Sequence, residues 1–260
     1  MEQTVAVHLK ELSFDREKEC AELAAGVSQN SAIGFAGFNS REALATALAW
    51  SIYAKDPLAV NVLPSKETVY QIAKDTLLLC QQALPGNIHL FIFPCKSEFV
   101  AKHMNGVSGM CPWKNTILLF LTAVEGWQEA CKETIAHEYC HAIMQETQER
   151  NTIADHLVFE GFAEHFRESV VGGNPAKWSV ALSEKEALAY AHSISHELFT
   201  ENDELFSSLF FGSKQFPQWT GYTIGYLLVK AFLKKTKQKE WKNMIKNNAK
   251  TIIDQSKLLS

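Results

Sequence analysis

The chain has 260 residues, of which 47% are hydrophobic and 21% charged, and carries a formal net charge of −4. That apolar content excludes a disordered tail or a low-complexity filament and is enough for one large domain or two smaller units. With a pI near 6.1 the chain lacks the basic excess of a nucleic-acid binder, so no nucleic-acid partner is expected.

The opening MEQTVAVHLKELSF has no basic stretch leading into an apolar one, so no signal peptide is expected. No run of 18 uncharged apolar residues marks a membrane span. Cys20, Cys80, Cys95, Cys111, Cys131 and Cys140 include no C-x-x-C pair and read as reduced thiols in a cytoplasmic protein.

In chain order, Thr4 to Leu9 alternates loosely and predicts a short strand, and residues 15–25 and 41–54 have helical spacing, with Asn39 or Ser40 capping the second. Pro64 breaks the chain, and Ser65 predicts the N-cap of a helix to about Ala83. Pro85-Gly86-Asn87 is a turn. Ile88–Phe93, Gly106–Met110 and Thr116–Leu121 read as three strands of a small sheet. Thr122 and Glu125 have capping-box spacing, which predicts a helix from there through His137 and His141 to about Gln148. Asp155 is the expected cap of the next helix, which Gly172-Gly173-Asn174-Pro175 stops. Helices follow over 183–199, 222–235 and 240–257, with a loop over 212–219. The lysines of the last thirty residues read as a solvated face. No internal repeat is present.

The informative string is His137-Glu138-Tyr139-Cys140-His141. Positions i and i+4 share a helix face, so two imidazoles can reach one metal ion, while Glu138 is placed to take a proton from the attacking water. The bland alternative is two surface histidines on an ordinary helix. A catalytic zinc takes three protein ligands and leaves one position open. Eighteen residues separate His141 from Glu160, a gap that fits the end of one helix, a turn and the start of a second helix packed beside the first. Gly161 has no side chain and would let these two helices approach closely. Glu164, one turn on, is suited to accept the outer N–H of a ligand histidine and fix its tautomer, or else it faces solvent. Cys140 is expected to pack beside the ligands, His156 to cap or lie at the surface, and His165 to point away from the metal.

H-E-x-x-H, eighteen residues and then E-G-F-A resembles the gluzincin metallopeptidases, and among them the aminopeptidase-N branch, with Phe159 in place of that branch's asparagine. The string E-G-F-A-E-H-F is similar to a compact bacterial family of predicted zinc-dependent proteases, over roughly residues 65–255. The resemblance implies one zinc ion with ligands His137, His141 and Glu160, and Glu138 as general base. It implies that a tyrosine in a Y-x-x-G string stabilises the oxyanion; Tyr222 fits the string and the interval, with Tyr226 in reserve. It implies that an edge strand pairs with substrate, for which Val107, Ser108, Gly109, Met110 and Cys111 are the candidates, with Pro112 ending the pairing. The G-x-M-E-N string that anchors a substrate amine in that branch is absent, which favours an endopeptidase over an aminopeptidase.

The expected architecture is an α+β, gluzincin-like fold in two subdomains. Residues 1–150 would hold the small sheet and the metal helix, and residues 151–260 a helical part carrying Glu160 and Tyr222. The expected activity is zinc-dependent hydrolysis of a peptide or protein substrate, without membrane insertion. The rivals are a non-catalytic zinc-stabilised binding or regulatory module, and a zinc hydrolase of a non-peptide amide. No cysteine is needed as a ligand, which favours catalysis over a structural zinc staple.

Overall fold

A computed structural model describes residues 5–9, 64–113, 115–148 and 150–259. The helices expected at 15–25 and 41–54, and Cys20, lie outside the described residues. The chain divides into two compact units, residues 1–146 and 147–260. It is an α+β protein, with its described strands in the first unit.

The first unit holds strand β1 (Val5–Leu9), helix α1 (Lys66–Ala83), strand β2 (Ile88–Pro94), helix α2 (Glu98–His103), strand β3 (Val107–Trp113), strand β4 (Thr116–Leu121) and helix α3 (Trp127–Met144). The sheet order is β1-β2-β4-β3; β1 and β4 run parallel to β2, and β3 is antiparallel to β4. Every residue of β4 is buried, which explains a continuous apolar run instead of alternation. Asn115, at φ 66°, makes the left-handed step between β3 and β4 that asparagine tolerates. β3 is the end strand of the described sheet. Pro112 falls at its irregularity between Met110 and Trp113, where a missing donor disrupts least.

Ser65 caps α1 as expected, its hydroxyl accepting the Thr68 N–H at 3.2 Å. Val69, Ala73, Leu77 and Cys80 form its buried stripe. The start of α3 differs from expectation. The Thr122 N–H donates to the Gly106 carbonyl at 2.8 Å and closes the end of the hairpin, so Thr122 does not begin a helix. The helix starts at Trp127 behind Gly126, whose φ of 80° sets the entry without a side-chain cap. It ends at Met144, before Gln148. From Glu138 to Met144 every residue is buried. The Tyr139 hydroxyl donates to the Leu84 carbonyl at 2.7 Å and ties this buried helix to the end of α1.

The second unit is helical: α4 (Ile153–Val171), α5 (Glu184–Ser193), α6 (Asp203–Phe211), α7 (Thr220–Lys235), α8 (Trp241–Met244) and α9 (Ala249–Ser256). Three expectations need correction. Thr152, not Asp155, caps α4; Asp155 is the third-position partner of a reciprocal capping box. The helix expected over 183–199 stops at Ser193, because the carbonyls of Leu198 and Thr200 turn to accept the first-turn N–H groups of Ala154 and Ile153 at 2.7 and 3.2 Å. The helix expected over 240–257 is two, because the Asn248 side chain accepts the Thr251 N–H and restarts the chain as α9.

The closest packing in this unit is between α4 and α7. A Cβ on Gly161 would lie 2.3 Å from the Gly225 carbonyl oxygen, and one on Gly225 would lie 2.1 Å from the Leu157 oxygen. The expected partner of Gly161 was the metal helix; the backbone that this glycine meets is instead that of α7.

Backbone cannot yield as a side chain tip can. Gly161→Ala and Gly225→Ala should each cost about 3 kcal/mol or more, the upper range for overpacking, measured by urea unfolding of each variant.

Candidate metal centre

The first unit presents His137, Glu138 and His141 on α3. The imidazoles stand at i and i+4, their ring centroids 4.6 Å apart and their planes at 89°. His141 is 5% exposed and Glu138 8%. Glu138 lies directly against β3: a Cβ on Gly109 would be 2.6 Å from Glu138 Cγ and 3.0 Å from its Oε1. Two residues along the strand, the Cys111 carbonyl accepts from Gln145 Nε2 at 2.7 Å. Gln145 is the C-cap of α3, so strand and helix are held in register at two points. Val107 to Met110 pair with β4 on one side only in the described sheet.

The second unit presents Glu160 and Glu164 on α4 and Tyr222 and Tyr226 on α7. Glu160 is half-buried. Glu164 is buried, and its Oε1 accepts from the Arg167 guanidinium and from the Ala176 N–H at 2.7 Å. Arg167, also buried, donates to the Gly172 and Asn174 carbonyls at 2.8 and 2.9 Å. The ion pair thus fastens the G-G-N-P-A turn to α4. Sequence reading missed Arg167. Its signal was an arginine three residues after a glutamate, ahead of a turn whose carbonyls need donors.

Tyr226 is engaged elsewhere. Its ring stacks on His165 with centroids 4.3 Å apart, and its hydroxyl donates to Glu168 Oε1 at 3.1 Å. His165 Nε2 meets the Tyr226 carbonyl at 3.0 Å, and its Nδ1 lies 3.3 Å from Glu168 Oε2. Tyr222 is half-buried, its ring edge-on to Phe210 at 5.0 Å. His156 packs on the Phe206 ring at 4.4 Å; burial first, then the Arg150 charge, holds its pKa below the ordinary value.

Among the described residues, one group of side chains can hold a metal ion: His137, His141 and Glu160 each offer a ligand atom, and the three atoms lie within 4.8 Å of one another. Two imidazole nitrogens and one carboxylate oxygen suit zinc and leave a fourth position open. The cysteines on α3 are buried: Cys140 Sγ contacts Met144 Sδ at 3.7 Å, and burial pushes the Cys131 thiol up to about 12.

The sequence profile of a family described as a predicted Zn-dependent protease (DUF2268) matches residues 69–254, a span that takes in all of these residues. No curated protein and no solved structure matches the chain. No described helix is long and apolar enough to cross a membrane. The chain belongs to this family of predicted zinc-dependent proteases.

The buried charges set two expected outcomes. Arg167→Ala leaves the Glu164 carboxylate without its cation and should cost about 3–5 kcal/mol in urea unfolding. Glu168 is pushed up by burial, but the hydrogen bond and charge of His165 and the Tyr226 hydroxyl outweigh this and hold its carboxyl below the usual range. A carboxyl lowered on folding stabilises the protein above its unfolded value, near 4.3 for glutamate. That contribution disappears as pH falls through the folded value. Tyr226→Phe removes one donor and should cost about 1 kcal/mol at pH 7. Unfolding at pH 3.5 should show a smaller difference between variant and parent.

Proposed function

We propose that this member of the family hydrolyses peptide bonds in peptide or protein substrates, as an endopeptidase of gluzincin-like fold, with His137, His141 and Glu160 holding one zinc ion. The observation that carries the reading is the three-ligand group itself, two histidines and a glutamate with ligand atoms within 4.8 Å. A buried carboxylate, Glu138, stands next to the first histidine on the same helix. When bound, zinc would polarise the scissile carbonyl and acidify water.

The chain's own residues supply the remaining chemistry. Glu138 takes the proton of the attacking water and passes it to the leaving amine. Tyr222 donates to the oxyanion that develops on the substrate carbonyl. It is preferred to Tyr226, whose hydroxyl already donates to Glu168. Glu164, whose Oε1 accepts from Arg167 and Ala176, is the carboxylate we assign to the outer N–H of a ligand histidine, holding it in the right tautomer. Residues Val107 to Cys111 of β3 receive the substrate as an added strand. Their end position in the described sheet supports this. Without a G-x-M-E-N anchor for a free amine, cleavage within a chain is favoured over removal of its first residue.

The test combines metal analysis with a peptide-mixture digest. Wild type should bind one zinc, lose cleavage to a chelator and regain it with zinc. Glu138→Gln should keep the zinc and lose about 10²–10⁴ in kcat, as expected for a missing general base. Tyr222→Phe should lose about 10²–10³, as for a lost oxyanion donor. Full activity in Glu138→Gln would overturn the mechanism, and wild type that binds zinc yet cleaves nothing would overturn the function.

A further inference from the structure

Gly109 lies inside strand β3, where glycine needs an explanation. A glycine in a strand interior weakens the strand and packs nothing. Its backbone does not require it, because its φ lies outside the left-handed region, in contrast to Gly106 three residues earlier at φ 81°. An alanine could adopt the same backbone and would ordinarily strengthen the strand.

Space is what an alanine would lack. An added Cβ would stand 2.6 Å from Glu138 Cγ, 2.7 Å from Thr134 Cγ2 and 3.0 Å from Glu138 Oε1. Thr134 and Glu138 are one helical turn apart on α3, so both form the wall that Gly109 faces. Neither backbone can retreat. The strand is paired to β4, Gly109 opposite Leu119, and its Cys111 carbonyl is held by Gln145. The helix is tied by the Tyr139 hydroxyl to the Leu84 carbonyl. Of the atoms that would be crowded, the Glu138 side chain has the torsional freedom to move.

We infer that Gly109 is a positioning residue: the side chain it lacks is the space in which the stem and carboxylate of Glu138 lie, and that space holds Glu138 in place. The inference rests on the proposed role of Glu138 as general base. The crowding is with the chain's own glutamate.

The test is Gly109→Ala in the full chain loaded with zinc, with metal content, thermal midpoint, kcat and KM measured beside wild type. The double variant Gly109→Ala/Thr134→Ser removes the crowding methyl and is used if the single variant fails to fold. The expected result is one bound zinc, KM within twofold of wild type, and kcat lowered at least about tenfold, since a misplacement near 1 Å can cost about 100-fold. A kcat within twofold of wild type would overturn the inference, as would a loss of activity matched by loss of zinc, which would report displacement of the helix. A crystal structure of the variant tests it without activity: the Glu138 carboxylate should move while the α3 backbone stays. An unmoved carboxylate overturns the inference even if wild type proves inactive, whereas wild-type inactivity alone counts only against the proposed function.

Discussion

The backbone contact between α4 and α7 is the constraint on which the second unit depends. Where Gly161 and Gly225 cross, no side chain can stand between the helices, and each Cβ would collide with a carbonyl oxygen at little over 2 Å. Such a crossing fixes both distance and register, because a slide by one residue would bring a side chain into the gap. The residues of interest are placed by sequence next to these two glycines. Glu160 precedes Gly161, and Tyr222 and Tyr226 flank Gly225 at short intervals. One steric condition, met by two glycines, thus sets where a carboxylate and two phenols stand relative to one another.

Around this crossing the buried charges are arranged in pairs. A buried ion pair is weak evidence for net stability, since desolvation offsets much of the attraction. The Glu164–Arg167 pair has a more specific consequence: Arg167 donates to the Gly172 and Asn174 carbonyls, and Glu164 accepts the Ala176 N–H. These are the polar backbone groups of a turn that follows a helix end and would otherwise lack partners. On the next residues, His165 and Glu168 engage Tyr226 in the same way. Tyr226 is thereby committed to the interior, which separates its part from that of Tyr222 although both lie on α7 in the same glycine-containing string.

Features set by neighbours in sequence were legible; those set by distant partners were not. Ser65 capped its helix and Thr116–Leu121 formed a buried strand because a cap and an apolar run act over a few residues. The i, i+4 histidine pair is equally local, and Glu160 follows from one interval. The partner of Gly161 was missed because a small residue announces a close approach without saying to what. Arg167 was missed because its acceptors belong to a turn whose path the sequence does not state. The single helix read over 183–199 failed for a related reason: Leu198 and Thr200 are recruited by the unsatisfied N–H groups of α4, some forty residues away in sequence. Local propensity cannot register a demand arising there. Thr122 and Glu125 had the spacing of a cap, but the strand hairpin claimed the Thr122 N–H first.

The same distinction separates the two carboxylates of the proposed site. Glu138 and Glu160 are chemically alike, yet one is assigned to abstract a proton and the other to bind an ion. Sequence assigns them by position in a string, which is a correlation. The packing offers a cause for the first. Glu138 extends against a strand glycine, with Thr134 one turn before it on the same wall, and both backbones are anchored nearby. The strand limits where that carboxylate rests on one side, and a base held in one place does not need to be reorganised when the proton moves. A glutamate with free rotation on the same helix could turn toward the ion and compete for it. Confinement by β3 accords with the proposed role of Glu138 as base. The small residue at position 109 and the acid at position 138 are therefore better understood as one feature than as two.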